Sequence, residues 1–450
     1  MAVTSRHVRR IYLTLVLLNT LAVTFIWAIN SLLLFEAGLS NTEALAANAC
    51  FTLGYAVFEI PTGSIADTWG RRASYLLGGG SLTVTTLLYW LAWRLHAGVW
   101  AWAGVSVALA VGFTFFSGAT EAWLVDALHH LRYEGRLEQV FARAQVVAGI
   151  GTLAGSLGGA YVAQATDVGV PFLVRAALLL TLTGVAWRVM HDIGFTPRRG
   201  SGPVKDVRRV LTESVRHGWG RPAVRWVMLG SVVATGVSYY VAFTMKPYLL
   251  QLAGNKHAYG LLGIAAAANA AAQTVGGLLA MACRSLFRWR MSVVVAGVVL
   301  NGALLAGFGL AAGVPLAIAL LALYSMVSAA VLPSRQAYLN GLLPSQRRAT
   351  VLSFDSLVAS TGGVVTQPGL GRAADLWGYP ASFVLGGLLQ VVALPVLFLA
   401  RRHEVTAATR TEPVAEAVPE AEAEAEAGAG GGGGAGGGGG AGALVTPRRW

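Results

Sequence analysis

Residues 59–72 read Glu-Ile-Pro-Thr-Gly-Ser-Ile-Ala-Asp-Thr-Trp-Gly-Arg-Arg, which sets two carboxylates and two guanidinium groups at the end of an apolar run. Such a grouping suits reversible ion pairing better than covalent chemistry. A carboxylate at position 67, at a helix end, can accept hydrogen bonds from the N-terminus of a facing helix. Gly63 allows a neighbouring helix to approach closely. Gly70 permits a tight reversal. Arg71 and Arg72 can pair with a carboxylate on a neighbouring helix, and Asp126 is the candidate. A network of this kind can latch one of two conformations. The alternative is that the two arginines only fix which side of a membrane the loop occupies.

Four more ionisable residues stand inside apolar runs: Glu59, Glu121, Arg335 and Asp355. A charge at the centre of a bilayer costs at least ~2.5–3.5 kcal/mol, so each needs a partner or a task. Glu59 lies about 12 Å along a helix from Asp67, and Asp355 about 10 Å from Arg348. Apolar surroundings raise a carboxyl's pKa and make it a possible proton carrier, whereas a static ion pair is the competing reading. No H-E-x-x-H, no metal-ligand spacing and no phosphate-binding loop occurs, so metal chemistry and direct ATP drive are not expected. The only cysteines, Cys50 and Cys283, lie in apolar runs and read as small buried hydrophobes.

The elements that must position these groups follow from composition. Of 450 residues, 55% are hydrophobic and 12% charged, with a mean hydropathy of +0.60. A soluble domain carries roughly twice that charge. The chain is therefore expected to be an all-α integral membrane protein. Twelve apolar runs are long enough to cross a bilayer: 11–35, 44–66, 73–93, 98–125, 141–165, 171–190, 225–250, 258–282, 290–312, 315–340, 349–370 and 379–400. The net charge of +12 comes from 30 Arg and 3 Lys gathered in short clusters between the runs. Up to residue 402, 25 basic residues fall in loops on one side and 5 on the other, alternating loop by loop. That is the signature of membrane topology with both termini cytoplasmic, not of a nucleic-acid surface. Trp69, Trp187, Trp226 and Trp289 fall at proposed inner ends, and Trp93, Trp100, Trp102 and Trp377 at outer ends, as interfacial belts would.

Residues 193–224, with Pro197 and a basic stretch around Arg208, read as a cytoplasmic linker, either a helix lying on the membrane surface or a solvated segment. It divides the chain into two six-span halves, 1–192 and 225–402. The tail, 403–450, is rich in Ala, Glu and Gly and cannot bury a core, so it is expected to be disordered. The halves echo one another: Glu121 to Asp126 aligns with Arg335 to Asn340, which puts Glu121 and Arg335 at equivalent places with opposite charge. The pattern Gly63-x-x-Ala-Asp67-x-Trp-Gly70 recurs as Gly371-x-x-Ala-Asp375-x-Trp-Gly378, whereas Met281 replaces the acid after the eighth run. Internal repeats are a known architecture of secondary transporters.

The loop Gly63, Asp67, Gly70, Arg71, Arg72 resembles the signature G-x-x-x-D-x-x-G-R-R/K of the major facilitator superfamily, between two apolar spans where that family has it. The likeness extends over about residues 11–400. It implies twelve transmembrane helices in two pseudosymmetric halves around a shared cavity, with Asp67, Arg71, Arg72 and Asp126 as the latch. It also implies a secondary active transporter of a small molecule, without a cofactor, and not an enzyme. Resemblance to drug-exporter-like members favours proton-coupled efflux. Uptake of a sugar, organic acid or other nutrient is the alternative, and a non-transporting receptor or scaffold on the same fold the third. Glu59, Glu121, Arg335 and Asp355 are the expected cavity and proton-coupling residues, with Glu121 and Arg335 meeting directly or through substrate. Abundant Ala, Gly and Arg suggest a bacterium, hence its inner membrane, and a monomer embedded in the lipid bilayer is expected.

Overall fold

The computed structural model describes residues 4–116, 118–196, 212, 219–287, 289–343 and 348–411. Most of the basic linker, Arg347 and the tail beyond 411 lie outside the described residues, as do the side chains of Met281, Cys283, Arg284 and Arg348. Helices alone make up the regular structure among the described residues. They are α1 (Ser5–Thr24), α2 (Asn30–Glu36), α3 (Asn41–Trp69), α4 (Arg71–Arg94), α5 (Val99–Phe116), α6 (Ala119–His130) and α7 (Leu137–Ala165). There follow α8 (Val170–Val189), α9 (Pro222–Leu252), α10 (Tyr259–Leu286), α11 (Arg290–Gly309), α12 (Val314–Leu342), α13 (Arg348–Val392) and α14 (Leu394–Thr411).

Their starts obey local rules. Ser40 and Glu43 form a reciprocal capping box that opens α3. Proline stands in the first turn of α8, α9 and α12, where its missing N–H costs nothing. Ten helical stretches of the described residues are long and apolar enough to cross a membrane.

Four expected spans differ in detail. The first is broken: α1 ends at Thr24 and α2 begins only at Asn30. The fourth breaks at Gly118, whose φ is 69°. The eleventh and twelfth join without a loop. α13 runs to Trp377, passes a non-helical Gly378 (φ 81°) and resumes at once. Trp102 is not an interfacial residue. It is fully buried and stands edge-on to Tyr89, with centroids 5.1 Å apart.

Small residues let the helices close up. α7 lies along α1, and a Cβ at Gly159 would collide with the Phe25 carbonyl. α10 lies along α12, where Gly276 faces the Met326 carbonyl in the same way. Without a water-driven force between helices in lipid, such close backbone approach is the main source of packing energy. Three sets of contacts join the first six spans to the second six. They are α3 against α13, α2 against α9, and α7 against α10, where Gly263 faces Ala160 and Leu157. The expected close approach at Gly63 is absent: nothing lies within 4 Å of a Cβ built there.

Candidate functional site

The site consists of a charged turn at one end of the bundle, a polar seam at the other, and a cavity between. The turn joins α3 to α4. Its hinge is Gly70, with φ 108°, in a region closed to other residues; a Cβ there would also strike the Asp192 carboxylate. Arg71 folds back one helical turn to Asp67 at 2.6 Å, and its Nε stands 3.7 Å from Asp126 of α6. Its guanidinium also lies 5.9 Å from the ring centre of Phe195. Arg72 turns elsewhere. Its backbone N–H donates to Asp192 at 2.9 Å and its guanidinium to the Trp187 carbonyl at 2.6 Å. The segment carrying Asp192 is tied to α6 by Trp123, whose indole N–H donates to the His191 carbonyl at 2.7 Å.

The two arginines thus have separate partners, and Arg72 does not meet Asp126. Asp67 pairs with Arg71 rather than capping a facing helix, because the arginine one turn on is already within reach. The Asp67 and Asp126 side chains are 40% and 35% exposed. Each ion pair is therefore worth at most about 1 kcal/mol, and can break and re-form. Asp192 was not foreseen as part of this group.

At the opposite end the echo of the motif is engaged. Both oxygens of Asp375, on α13, take hydrogen bonds from the N-terminus of α3. Oδ1 accepts from the Asn41 N–H and side-chain amide, each at 2.9 Å. Oδ2 accepts from the Thr42 N–H at 2.9 Å and from the Thr42 hydroxyl. A helix N-terminus presents unpaired N–H groups and a positive dipole end, so an anion fits. The seam continues inward along the same two helices. Tyr379 donates to Asn41, and the fully buried Gln367 accepts from Asn48 and donates to Thr52 at 3.2 Å. Beside it, the buried Lys246 of α9 donates to Asn30 of α2.

Between the two ends lies a cavity of about 1120 Å³. It runs from mid-bundle at Tyr324 and Ser325 to the arginine-rich end at Met291 and Asn340. Tyr55, Ala56 and Glu59 of α3 line it; every other wall residue comes from α9 to α14. Two of the four expected cavity residues meet there. Arg335 of α12 donates to Asp355 of α13 at 2.7 Å, and the Asp355 side chain is 8% exposed. Glu59 lines the same cavity. Glu121 does not: it lines a separate cavity of about 240 Å³ with Tyr12, Asn19, Tyr75 and Gln145. The direct Glu121–Arg335 contact expected from the repeat is therefore absent. A carboxylate on the next helix has taken the guanidinium, as the cost of an unpaired buried charge requires.

No curated protein matches the chain. Solved structures do. A single-residue variant of the nucleoside transporter NupG superimposes with a TM-score of 0.73 at 12% identity, covering 87% of this chain and 99% of that one. A bacterial homologue of the human lysosomal transporter Spinster, inward-facing and unoccupied, gives 0.66 at 16% identity over 89% and 98% of the two chains. A POT family transporter in complex with 5-aminolevulinic acid gives 0.65 at 14% identity over 88% and 96%. At such identities the likeness is one of fold, and the fold is that of membrane transporters. The sequence itself matches the family model of the Major Facilitator Superfamily over residues 12–300 and 261–435. The chain, with its charged turn, its seam and its membrane-spanning helices, belongs to the Major Facilitator Superfamily.

Proposed function

We propose that this chain carries a small polar solute across a cell membrane by alternating access, with the 1120 Å³ cavity as its carrying site and protons as the coupling ion. The observation that supports this is the contrast between the bundle's two ends. α3 and α13 are sealed together by Asp375, Tyr379 and Gln367, while the cavity runs to the other end beside the arginine-rich loops. With those loops cytoplasmic, as the charge asymmetry supports, this is a conformation closed to the outside. The charged turn around Arg71, whose ion pairs are made in this conformation, is the latch that biases the exchange between the two. Glu59 is the proton-coupling group, because it stands on the cavity wall contributed by α3. Polar side chains set in a largely apolar wall favour a polar solute over an apolar cation, since Arg335 neutralises the buried Asp355.

The test uses purified protein in proteoliposomes. Solute uptake should depend on an imposed proton gradient, collapse with a protonophore, and fall at least tenfold in Ala329→Trp, which fills the cavity. A gradient-driven flux unaffected by Ala329→Trp would remove the cavity from the path.

A further inference from the structure

The break after α1 leaves α2 as a short helix at the boundary between the two halves. It packs against α9 of the second half as well as against α3 and α4 of its own. Its last residue, Glu36, reaches across that boundary. The Tyr259 hydroxyl, at the start of α10, donates to the Glu36 carboxylate at 2.7 Å. Tyr259 is only 4% exposed, so packing fixes where its hydroxyl stands. The same hydroxyl has a second neighbour. Nδ1 of His257 lies 3.2 Å from the Tyr259 oxygen, and the two rings stand edge-on. Glu36 and His257 are both exposed, so the outer solution reaches each end of the row. His257 is held by its own loop, where its backbone N–H donates to the Asn255 side chain at 2.9 Å. The Gly260 N–H, one residue past Tyr259, donates to Gln164 of α7 at 3.3 Å. Two hydrogen bonds from one short stretch of the second half therefore reach the first, on elements separate from the Asp375 seam.

A tyrosine hydroxyl carries one hydrogen, and here two groups compete for it. Given to Glu36, that hydrogen ties the two halves together. Given to His257, it stays within the second half. An imidazolium has an N–H on both ring nitrogens and cannot accept. It donates to the Tyr259 oxygen and leaves the tyrosine's hydrogen to the carboxylate, which makes a charge-assisted row from cation to anion. A neutral imidazole with its hydrogen on Nε2 turns a lone pair toward the hydroxyl and draws the hydrogen away from Glu36. We propose that Glu36, Tyr259 and His257 form a pH-sensitive clasp: proton uptake by His257 from the outer solution holds this end of the bundle closed, and proton loss favours its opening. The clasp rests on this end being the one that opens outward. Its stabilisation is present at low pH and is lost as pH rises through the range in which imidazoles change charge, about pH 5 to 8. Carboxylates ordinarily ionise below that range, which keeps the acceptor charged across it. Other charged groups stand near. Asp167, in the turn after α7, acts on Tyr259 electrostatically, but its own Oδ1 accepts from the Gly169 and Val170 N–H groups. Lys256 is exposed beside His257. Lys246 of α9 meets α2 at Asn30, six residues before Glu36, and also joins the halves at this end. The experiment therefore separates Lys246 from His257.

The experiment reads conformation, not transport. The full chain, without Cys50 and Cys283, is spin-labelled at Leu95 of the first half and Leu376 of the second and placed in lipid nanodiscs. Pulsed dipolar spectroscopy then gives the ratio of long to short distances, open to closed, at pH 8.0 and 5.5. The background is Asp375→Asn, which loosens the neighbouring seam so that the open population is measurable, and which also removes Asp375 as a titrating group. The ratio should be roughly three- to fivefold lower at pH 5.5, the size expected of an exposed charge-assisted contact. His257→Gln, neutral at both pH values, should reduce that response to less than about 1.5-fold. Tyr259→Phe, which keeps the buried ring and loses the hydroxyl, should raise the open ratio at pH 5.5 about threefold and also abolish the response. Lys246→Met should keep the response. Matching elution profiles and helical circular dichroism guard against misfolding. An open population indifferent to pH, or a response that survives both His257→Gln and Tyr259→Phe, overturns the clasp and leaves alternating access standing. A response lost in Lys246→Met but kept in His257→Gln overturns it in favour of the lysine. One short distance in every variant at both pH values overturns the clasp together with the reading that this end opens.

Discussion

Replacing Asp375 by Asn should release the seam that closes one end of the bundle. The carboxylate accepts four hydrogen bonds from Asn41 and Thr42 at the start of α3. An amide of the same shape keeps one acceptor oxygen and puts an NH₂ where the other stood. It can retain the two bonds from Asn41, but it cannot accept from the Thr42 N–H or hydroxyl. A hydrogen bond to a charged group contributes about 1.5–3 kcal/mol. Asp375 is exposed, so about 1 kcal/mol for each lost bond is the better figure. The total, ~2 kcal/mol, is a shift of about thirtyfold between closed and open at that end, enough to raise an open fraction of about 1% to about a quarter. Spin labels at two exposed positions of that end, Leu95 after α4 and Leu376 on α13, in a background without Cys50 and Cys283, would report it by pulsed dipolar spectroscopy. The Asp375→Asn variant should show a second, longer distance population. A distribution superimposable on that of the unmodified background, in protein of normal stability, would refute the reasoning and leave Asp375 as a helix cap with no bearing on opening.

Arg335→Gln alone should cut transport at least tenfold, because it strands Asp355 as a buried charge, a loss of about 3–5 kcal/mol; the double variant with Asp355→Asn should recover part of it, and strictly additive effects in the cycle would exclude the pair as a unit. Arg71→Ala should shift the conformational equilibrium by less than tenfold, since its two ion pairs are half-exposed, whereas Arg72→Ala should lower the thermal unfolding midpoint by removing the Trp187 contact; the opposite pattern of the two readouts would show that their roles are exchanged. Lys246→Met should leave thermal stability unchanged or raise it by up to about 4 kcal/mol, because a buried ammonium facing one neutral amide is replaced by a hydrophobe of similar length; a fall of several degrees in the melting midpoint would mean that the ammonium has a partner that repays its desolvation.

What could be read from the chain beforehand was what leaves a trace in residue type. Asp355 and Arg335 were visible because charges interrupt apolar runs, and Asp126 because it ends a span beside the motif. Asp192 was not, because an aspartate in a polar loop looks ordinary and its contact with Arg72 spans 120 positions. The pattern around Asp375 was legible, but its role was not: its partners include backbone N–H groups, which every residue but proline carries. The repeat did not translate into a direct contact between Glu121 and Arg335. Equivalent positions in two halves face the same way relative to their own half, which does not bring Glu121 to Arg335. The break between α1 and α2 had no signal either. Residues 25–29 contain neither Gly nor Pro, so packing rather than local preference ends the helix there.

The lopsided cavity has a consequence for how this chain can change over generations. Almost every wall residue is supplied by α9 to α13, with three from α3, whereas the charged turn at Gly70 is assembled from α3, α4, α6 and the segment after α8. Selection on what is carried and selection on how the carrier moves therefore fall on different stretches of the gene. Substitutions that retune the wall at Asn269, Asn301 or Ser325 leave the turn untouched, and the turn can be kept nearly fixed while new specificities are sampled. Recombination that exchanges residues 225–402 between relatives would hand over most of the binding wall in one event, with the seams at α3–α13, α2–α9 and α7–α10 left to be reconciled.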